Sequence, residues 1–250
     1  MVPLAYTDAG AGPPVVLLHG LTCHLGYWLR VLPLLGSLRV VALDFRGHGL
    51  SDHRNSYGYA DYEYDLLWLL DRLELDRVTV AGHSLGGYVA LSAARRSNRI
   101  GRVLAIDVKS DWTEEDSAFA ARSRGRSQRV EADREVLVGR LAKSVDLSLD
   151  ELEVVAKRSI EQVDGGWRFR WDRRVLDTEP VDPFAFLSGV RCPTHVMAGS
   201  QSDVMPPERA RRFAEAIPGA TVEVVEGAGH HVELDAPQVV AERILELALA

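Results

Sequence analysis

Only two of the 250 residues are cysteine, Cys23 and Cys192. That is too few for the disulfide framework that staples small secreted domains, and both read as reduced, buried thiols. Long apolar runs are missing as well, since none approaches the ~18 residues a membrane span requires. The opening MVPLAYTDAG has neither the basic n-region nor the apolar h-region of a secretory leader, so a cytoplasmic protein is expected. Positive charge is not in surplus either, with 29 Lys and Arg against 36 Asp and Glu and a net charge of −7. This argues against a nucleic-acid partner and against attraction to an anionic membrane surface. No repeat, low-complexity tract or Gly/Ser linker divides the chain, and its length suits one α/β unit with a buried core.

What is present is a series of short, apolar, β-branched runs ending in glycine or aspartate: PVVLLHG, RVVALD, RVTVAGHS, GRVLAID, CPTHVMAGS and ATVEVVEGAGH. Strands apolar on both faces and alternating with amphipathic helices imply a parallel sheet covered on both sides. One such helix sets Tyr62, Leu66, Leu69, Leu70 and Leu73 at helical spacing. A C-terminal one does so with Val240, Ile244 and Leu247, and Pro237 sits in its first turn. The alternation stops between Lys109 and Ser188, a charged stretch expected to be helical. Its basic run FAARSRGRSQR is flanked by Asp111, Glu114, Glu115, Asp116, Glu131 and Asp133, which reads as a solvated helix face. The expected organisation is a core of residues 1–108 and 189–250 with a helical insertion, 109–188, over the carboxyl ends of the strands.

The strongest chemical signal is VTVAGHSLGGYVAL, a strand, then Gly82-His83-Ser84-Leu85-Gly86, then a helix. This is the G-x-S-x-G pattern in the strand–turn–helix setting that gives it meaning. The turn is tight enough to strain the serine backbone, and glycines at 82 and 86 remove the Cβ atoms that would clash. Ser84 Oγ is thereby raised above the strand end, beside a helix N-terminus that favours developing negative charge.

With this motif the chain resembles the α/β-hydrolase family, as a lid-bearing, esterase-like serine hydrolase. LLHGLTCHLGYW resembles the family's His-Gly loop, DFRGHGLSD its Asp-x-Arg-Gly-x-Gly-x-Ser turn, GSQSDVMPP its acid loop and GAGHHVELDAP its histidine loop. The resemblance implies a mostly parallel sheet of about seven strands, without the family's first edge strand, flanked by helices. A helical lid is inserted after the family's sixth strand. It also implies a triad in the order Ser, acid, His. Ser84 is then the nucleophile and His230, after Gly227-Ala228-Gly229, the base that takes its proton. Asp203 is the acid by motif match, with Asp107, ending the strand VLAID, as its rival. The backbone N–H groups of Leu21 and Leu85 form the oxyanion hole.

His231 is expected at the pocket mouth or in solvent. His19 is expected to shape the oxyanion loop and His48 to lie in a turn tied by Arg46, while His24, His53 and His195 have no partner readable from sequence. Trp112, in the insertion, is a candidate wall of an apolar acyl pocket, and Trp28, Trp167, Phe169 and Trp171 are expected mainly in the core. No H-E-x-x-H pattern suggests a metal, no G-x-G-x-x-G enters a helix after a strand, and no cofactor is expected. The expected activity is cleavage of a small carboxylic ester through an acyl-serine intermediate. A small-molecule ester is the expected partner, with a homodimer left open. The same triad also serves perhydrolysis, C–C bond hydrolysis or a slow-turnover receptor. His83 and His231 stand where C–C hydrolases typically carry Asn and Trp.

Overall fold

The computed structural model describes residues 3–114, 118, 121–122, 124–178 and 181–250. Glu115 and Asp116 of the acidic flank, and Phe119, Ala120 and Ser123 of the basic run, lie outside the described residues. Strands β1 (Tyr6–Ala9), β2 (Pro14–Leu18), β3 (Arg39–Leu43), β4 (Val78–His83) and β5 (Ile100–Ile106) come first. A hairpin, β6 (Ile160–Val163) and β7 (Gly166–Phe169), interrupts before β8 (Thr194–Gly199) and β9 (Thr221–Val225). Seven of these form one sheet in the order β1-β3-β2-β4-β5-β8-β9. The edge strand β1 is antiparallel to β3 and every other pair is parallel.

Strand period divides the apolar side chains between two cores. Val16 and Leu18 of β2, Val41 and Leu43 of β3, and Val196 and Ala198 of β8 face one core. Their neighbours Val15, Leu17, Val40, Ala42 and Met197 face the other. The first core is covered by α1 (Tyr59–Arg72), α2 (Leu85–Arg96) and α6 (Pro207–Glu215). The second is covered by 3-10 turns at Leu25–Trp28 and Leu32–Leu34 and by α8 (Pro237–Leu249). Tyr62, Leu66, Leu69 and Leu70 are the buried stripe of α1, and Val240 and Ile244 that of α8. No helix among the described residues is long and apolar enough to cross a membrane.

Residues 109–188 contain α3 (Arg134–Leu141), α4 (Leu149–Ser159), the β6–β7 hairpin, a 3-10 turn at Arg173–Asp177 and α5 (Phe184–Leu187). The expectation of an all-helical insertion is corrected here. Ile160 pairs with Phe169 and Val163 with Gly166, around a two-residue Asp164-Gly165 loop in which Gly165 takes φ +86°. Asp-Gly between two short runs is a hairpin signal that the charged surroundings mask.

The segment has a small core of its own, built on Leu137, Leu141, Leu152, Ala156 and Ile160. Polar ties join it to the sheet. Arg158 reaches the buried Asp44 at 3.0 Å, Ser159 Oγ lies 2.9 Å from His24 Nε2, and Tyr57 donates to Asp172 at 2.6 Å. Arg30 makes a two-pronged pair with Glu151 at 2.7 and 2.8 Å. The Arg30 hydrogen bonds, followed by those from Ser148, hold the Glu151 carboxyl down at about 2 against an ordinary 4.5. Because the folded value is the depressed one, this stabilisation is present above pH 4.5 and is lost as the pH falls towards 2. Glu151→Gln should therefore cost up to about 1 kcal/mol at pH 7, as partly exposed pairs do. In urea denaturation the difference from the parent should shrink below pH 4.5.

Candidate active site

The carboxyl ends of β2, β4, β5 and β8 gather the site. Ser84 follows β4 at φ +50°, ψ −113°, a region costly for a residue with a Cβ. Its amide donates to Ile106 O at 2.8 Å, which locks the turn onto the neighbouring strand. A Cβ on Gly82 would stand 2.3 Å from the Gly86 carbonyl carbon, and one on Gly86 2.5 Å from Leu18 O. The two glycines are therefore what lets the elbow close.

His230 lies in the loop between β9 and α7 (Val232–Asp235), with Nδ1 2.7 Å from Asp107 Oδ1. A carboxylate only accepts, so Nδ1 carries a proton, and in the neutral ring Nε2 keeps its lone pair. Asp107 is fully buried at the end of β5, itself at φ +48°. Its Oδ1 also accepts from Ser202 Oγ at 2.6 Å and its Oδ2 from the Gly199 amide at 3.0 Å.

The assignment of Asp203 as the partner of His230 is thus corrected to Asp107. The loop after β8 turns Ser202 inward and leaves Asp203 exposed. Ser202 Oγ is in turn held by the amides of Val204 and Met205 at 3.1 and 3.2 Å. The acid loop of the resemblance braces the carboxylate instead of supplying it. The signal in the sequence was an aspartate closing the all-apolar run VLAI, on the strand paired directly with β4.

Leu21 and Leu85 line the same cavity as Ser84. Among the described residues no protein acceptor takes either backbone amide. The loop that carries Leu21 is braced by His19, whose Nε2 accepts from the Phe45 amide at 3.0 Å while Nδ1 lies 2.7 Å from Gly20 O. His48 lies in the adjoining turn, its Nδ1 2.9 Å from Arg46 O. Burial pushes both imidazoles down, to about 4 and about 3, so they are neutral structural groups at pH 7.

The cavity holds about 210 Å³ and is walled by Tyr59, Tyr88, Trp112, Val175 and Leu176 around Ser84. Trp112 stands there with Lys109 Nζ 5.3 Å from its ring centre. His231 is not at the mouth and not in solvent, which corrects both expectations for it. It turns away from the cavity to pair with Glu233 at 3.1 Å and to pack on Tyr27 at 5.4 Å between ring centres. Burial works to lower its pKa, but the hydrogen bond and charge of Glu233, joined by the charges of Asp235 and Asp107, together raise it.

The histidines without readable partners have distant ones. His24 meets Ser159, His195 Nδ1 lies 2.6 Å from Thr221 Oγ1, and His53 Nε2 lies 2.8 Å from Arg170 O.

Together the strained serine elbow, the His–Asp pair and the parallel sheet beneath them define a protein of hydrolase architecture. A model of the alpha/beta hydrolase fold matches residues 13–237, and the chain belongs to that family. The chain is 30% identical to the mouse sn-1-specific diacylglycerol lipase ABHD11, over 95% of this chain and 82% of that protein. Esterase YbfF of Escherichia coli is 28% identical, over 92% and 91%. The crystal structure of E-2-(acetamidomethylene)succinate hydrolase superposes with a TM-score of 0.87 at 25% identity, covering 100% of this chain and 96% of that one.

Proposed function

We propose that the protein is a serine hydrolase of small carboxylic esters that works through an acyl-serine intermediate. The observation that carries this reading is the Asp107–His230 bond of 2.7 Å beside the strained Ser84 elbow. In this mechanism Ser84 Oγ attacks the ester carbonyl while His230 Nε2 takes its proton. The imidazolium so formed is stabilised by Asp107, and the oxyanion by the amides of Leu21 and Leu85. His230 returns the proton to the leaving alcohol, and a water activated by the same nitrogen then releases the acid.

An esterase and a lipase among the relatives support ester chemistry. The 210 Å³ cavity, below the ~300–1,000 Å³ of pockets for drug-sized ligands, supports a short acyl group. Residues 109–188 act as the lid in this reading, because Trp112, Val175 and Leu176 complete the wall over Ser84.

Hydrolysis of p-nitrophenyl esters across a range of acyl lengths tests the proposal. Turnover should fall as the chain outgrows the cavity, and Ser84→Ala should lose about 10⁴ or more in kcat. A second reading, hydrolysis of a carboxylate-bearing substrate, is favoured by the succinate-derivative hydrolase among the similar structures and by Lys109 in the cavity wall. Turnover confined to succinate half-esters would select it. Absence of turnover on every ester would reject ester chemistry and return the fold to C–C cleavage or ligand reception.

A further inference from the structure

Behind the catalytic histidine lies a second cluster that ester hydrolysis does not use. His83, Glu233 and His231 bring one ligand atom each to within 4.8 Å of one another. Their side chains are 2%, 1% and 17% exposed, so the group is sealed except past His231.

The hydrogen bonds fix how His83 is protonated. Its Nε2 is 3.0 Å from the backbone carbonyl of His230, and a carbonyl only accepts, so Nε2 bears the hydrogen. Burial, followed by the neighbouring His230 and His231, pushes the pKa of His83 well below the ordinary value, which keeps the ring neutral. Nδ1 therefore presents a lone pair, and what it faces at 3.4 Å is Glu233 Oε1. Among the described residues neither His83 Nδ1 nor Glu233 Oε2 has a hydrogen-bond partner, although both atoms are buried. Buried polar atoms left in this state cost free energy, and a lone pair opposed to a carboxylate costs more. Gly20 packs close to Nδ1, and a Cβ there would stand only 2.8 Å from it.

We propose that His83 Nδ1, His231 Nδ1 and the Glu233 carboxylate form a binding site for one zinc-like divalent ion. Two imidazoles and a carboxylate are a donor set that zinc takes, at about 2.0–2.2 Å per bond, which sets tetrahedral ligands about 3.3–3.5 Å apart. One side of the triangle already has that length, 3.4 Å from Glu233 Oε1 to His83 Nδ1, and a second, 3.1 Å to His231 Nδ1, is a few tenths of an ångström short of it. The third closes by a rotation of order 1 Å at the more exposed His231, to satisfy those same bond lengths. The ion displaces the proton shared between His231 and Glu233 and is approached from the His231 side. Since His83 also holds the His230 carbonyl, occupancy would brace the loop that presents the catalytic base.

The sequence hides this site because its ligands are separated by 148 positions from His83 to His231, and no short spacing such as H-E-x-x-H announces it.

Dialysis of the intact protein against micromolar Zn²⁺, followed by metal analysis, should find one equivalent per chain. Glu233→Gln and His231→Gln should each weaken binding by at least about tenfold. Crystals soaked in Zn²⁺ give an independent reading on the parent protein, free of any folding defect in a variant. An anomalous peak at the zinc edge bonded to all three side chains is the expected result. No uptake, a peak elsewhere, or undiminished binding in both variants would overturn the proposal and leave a shared proton as the occupant of the gap.

Discussion

Asp107→Asn should lower kcat on a short p-nitrophenyl ester by about 10⁴, the scale set when a triad aspartate becomes an amide, whereas Asp203→Asn should leave it within about twofold. The difference follows from which atoms donate. Oδ2 of Asp107 accepts from the Gly199 amide, a main-chain N–H that cannot be reversed. An asparagine must therefore turn its carbonyl to that side and present its NH₂ to Ser202 and His230, which both donate to the natural carboxylate. The serine hydroxyl can rotate to accept. His230 can accommodate an NH₂ only by giving up the Nδ1 proton, which moves that proton to Nε2. The nitrogen that should receive the Ser84 proton is then occupied, while ring position and fold are preserved. Asp203, exposed in the loop, has no such link to the imidazole. An inactive Asp203→Asn with an active Asp107→Asn would return the acid to the later loop.

Much of this was readable from the sequence where the physics is local. The strands β2 to β5 and β8 announced themselves because both their faces are largely buried and their residues are mostly apolar, with Thr79, Arg102 and His195 as interruptions. The elbow was readable because three glycines around one serine form a fixed pattern within a single strand–turn–helix, although Gly86 and Gly87 also make room for Leu18 and Val108. The carboxylate that pairs with His230 was not, because Asp107, at the end of β5, and Asp203, in the loop after β8, both follow apolar strands. Only the inward turn of Ser202 and the positive φ of Asp107 decide between them. The direction of His231 was hidden for the same reason, since Tyr27 and His83, which receive its ring, come from distant elements, the 3-10 turn at Leu25–Trp28 and the end of β4. In the insertion, charge patterning pointed to solvated helix and concealed the Asp164-Gly165 hairpin.

The largest stability effect is expected at Asp65. This carboxylate is fully buried on α1 and takes Arg46 through Nε at 3.0 Å and Nη2 at 2.6 Å, and it also accepts the Arg46 amide at 3.0 Å. Burial raises the Asp65 pKa despite the guanidinium, which shows how expensive it is to hold the charge there. Asp65→Ala would leave the 8%-exposed Arg46 with Asp61 alone, at 2.8 Å. Stranding a buried charge costs about 3–5 kcal/mol, and that loss should appear in urea as a lower midpoint at unchanged slope. The double replacement Asp65→Leu with Arg46→Met removes both charges together and should recover most of it. Activity should follow stability in the single variant, because the Arg46 turn carries His48 and abuts Phe45, whose amide is held by His19 at the root of the loop that brings Leu21 to the cavity. A double variant as unstable as the single one would mean that the turn depends on the shape of the ion pair and not on its balance of charge.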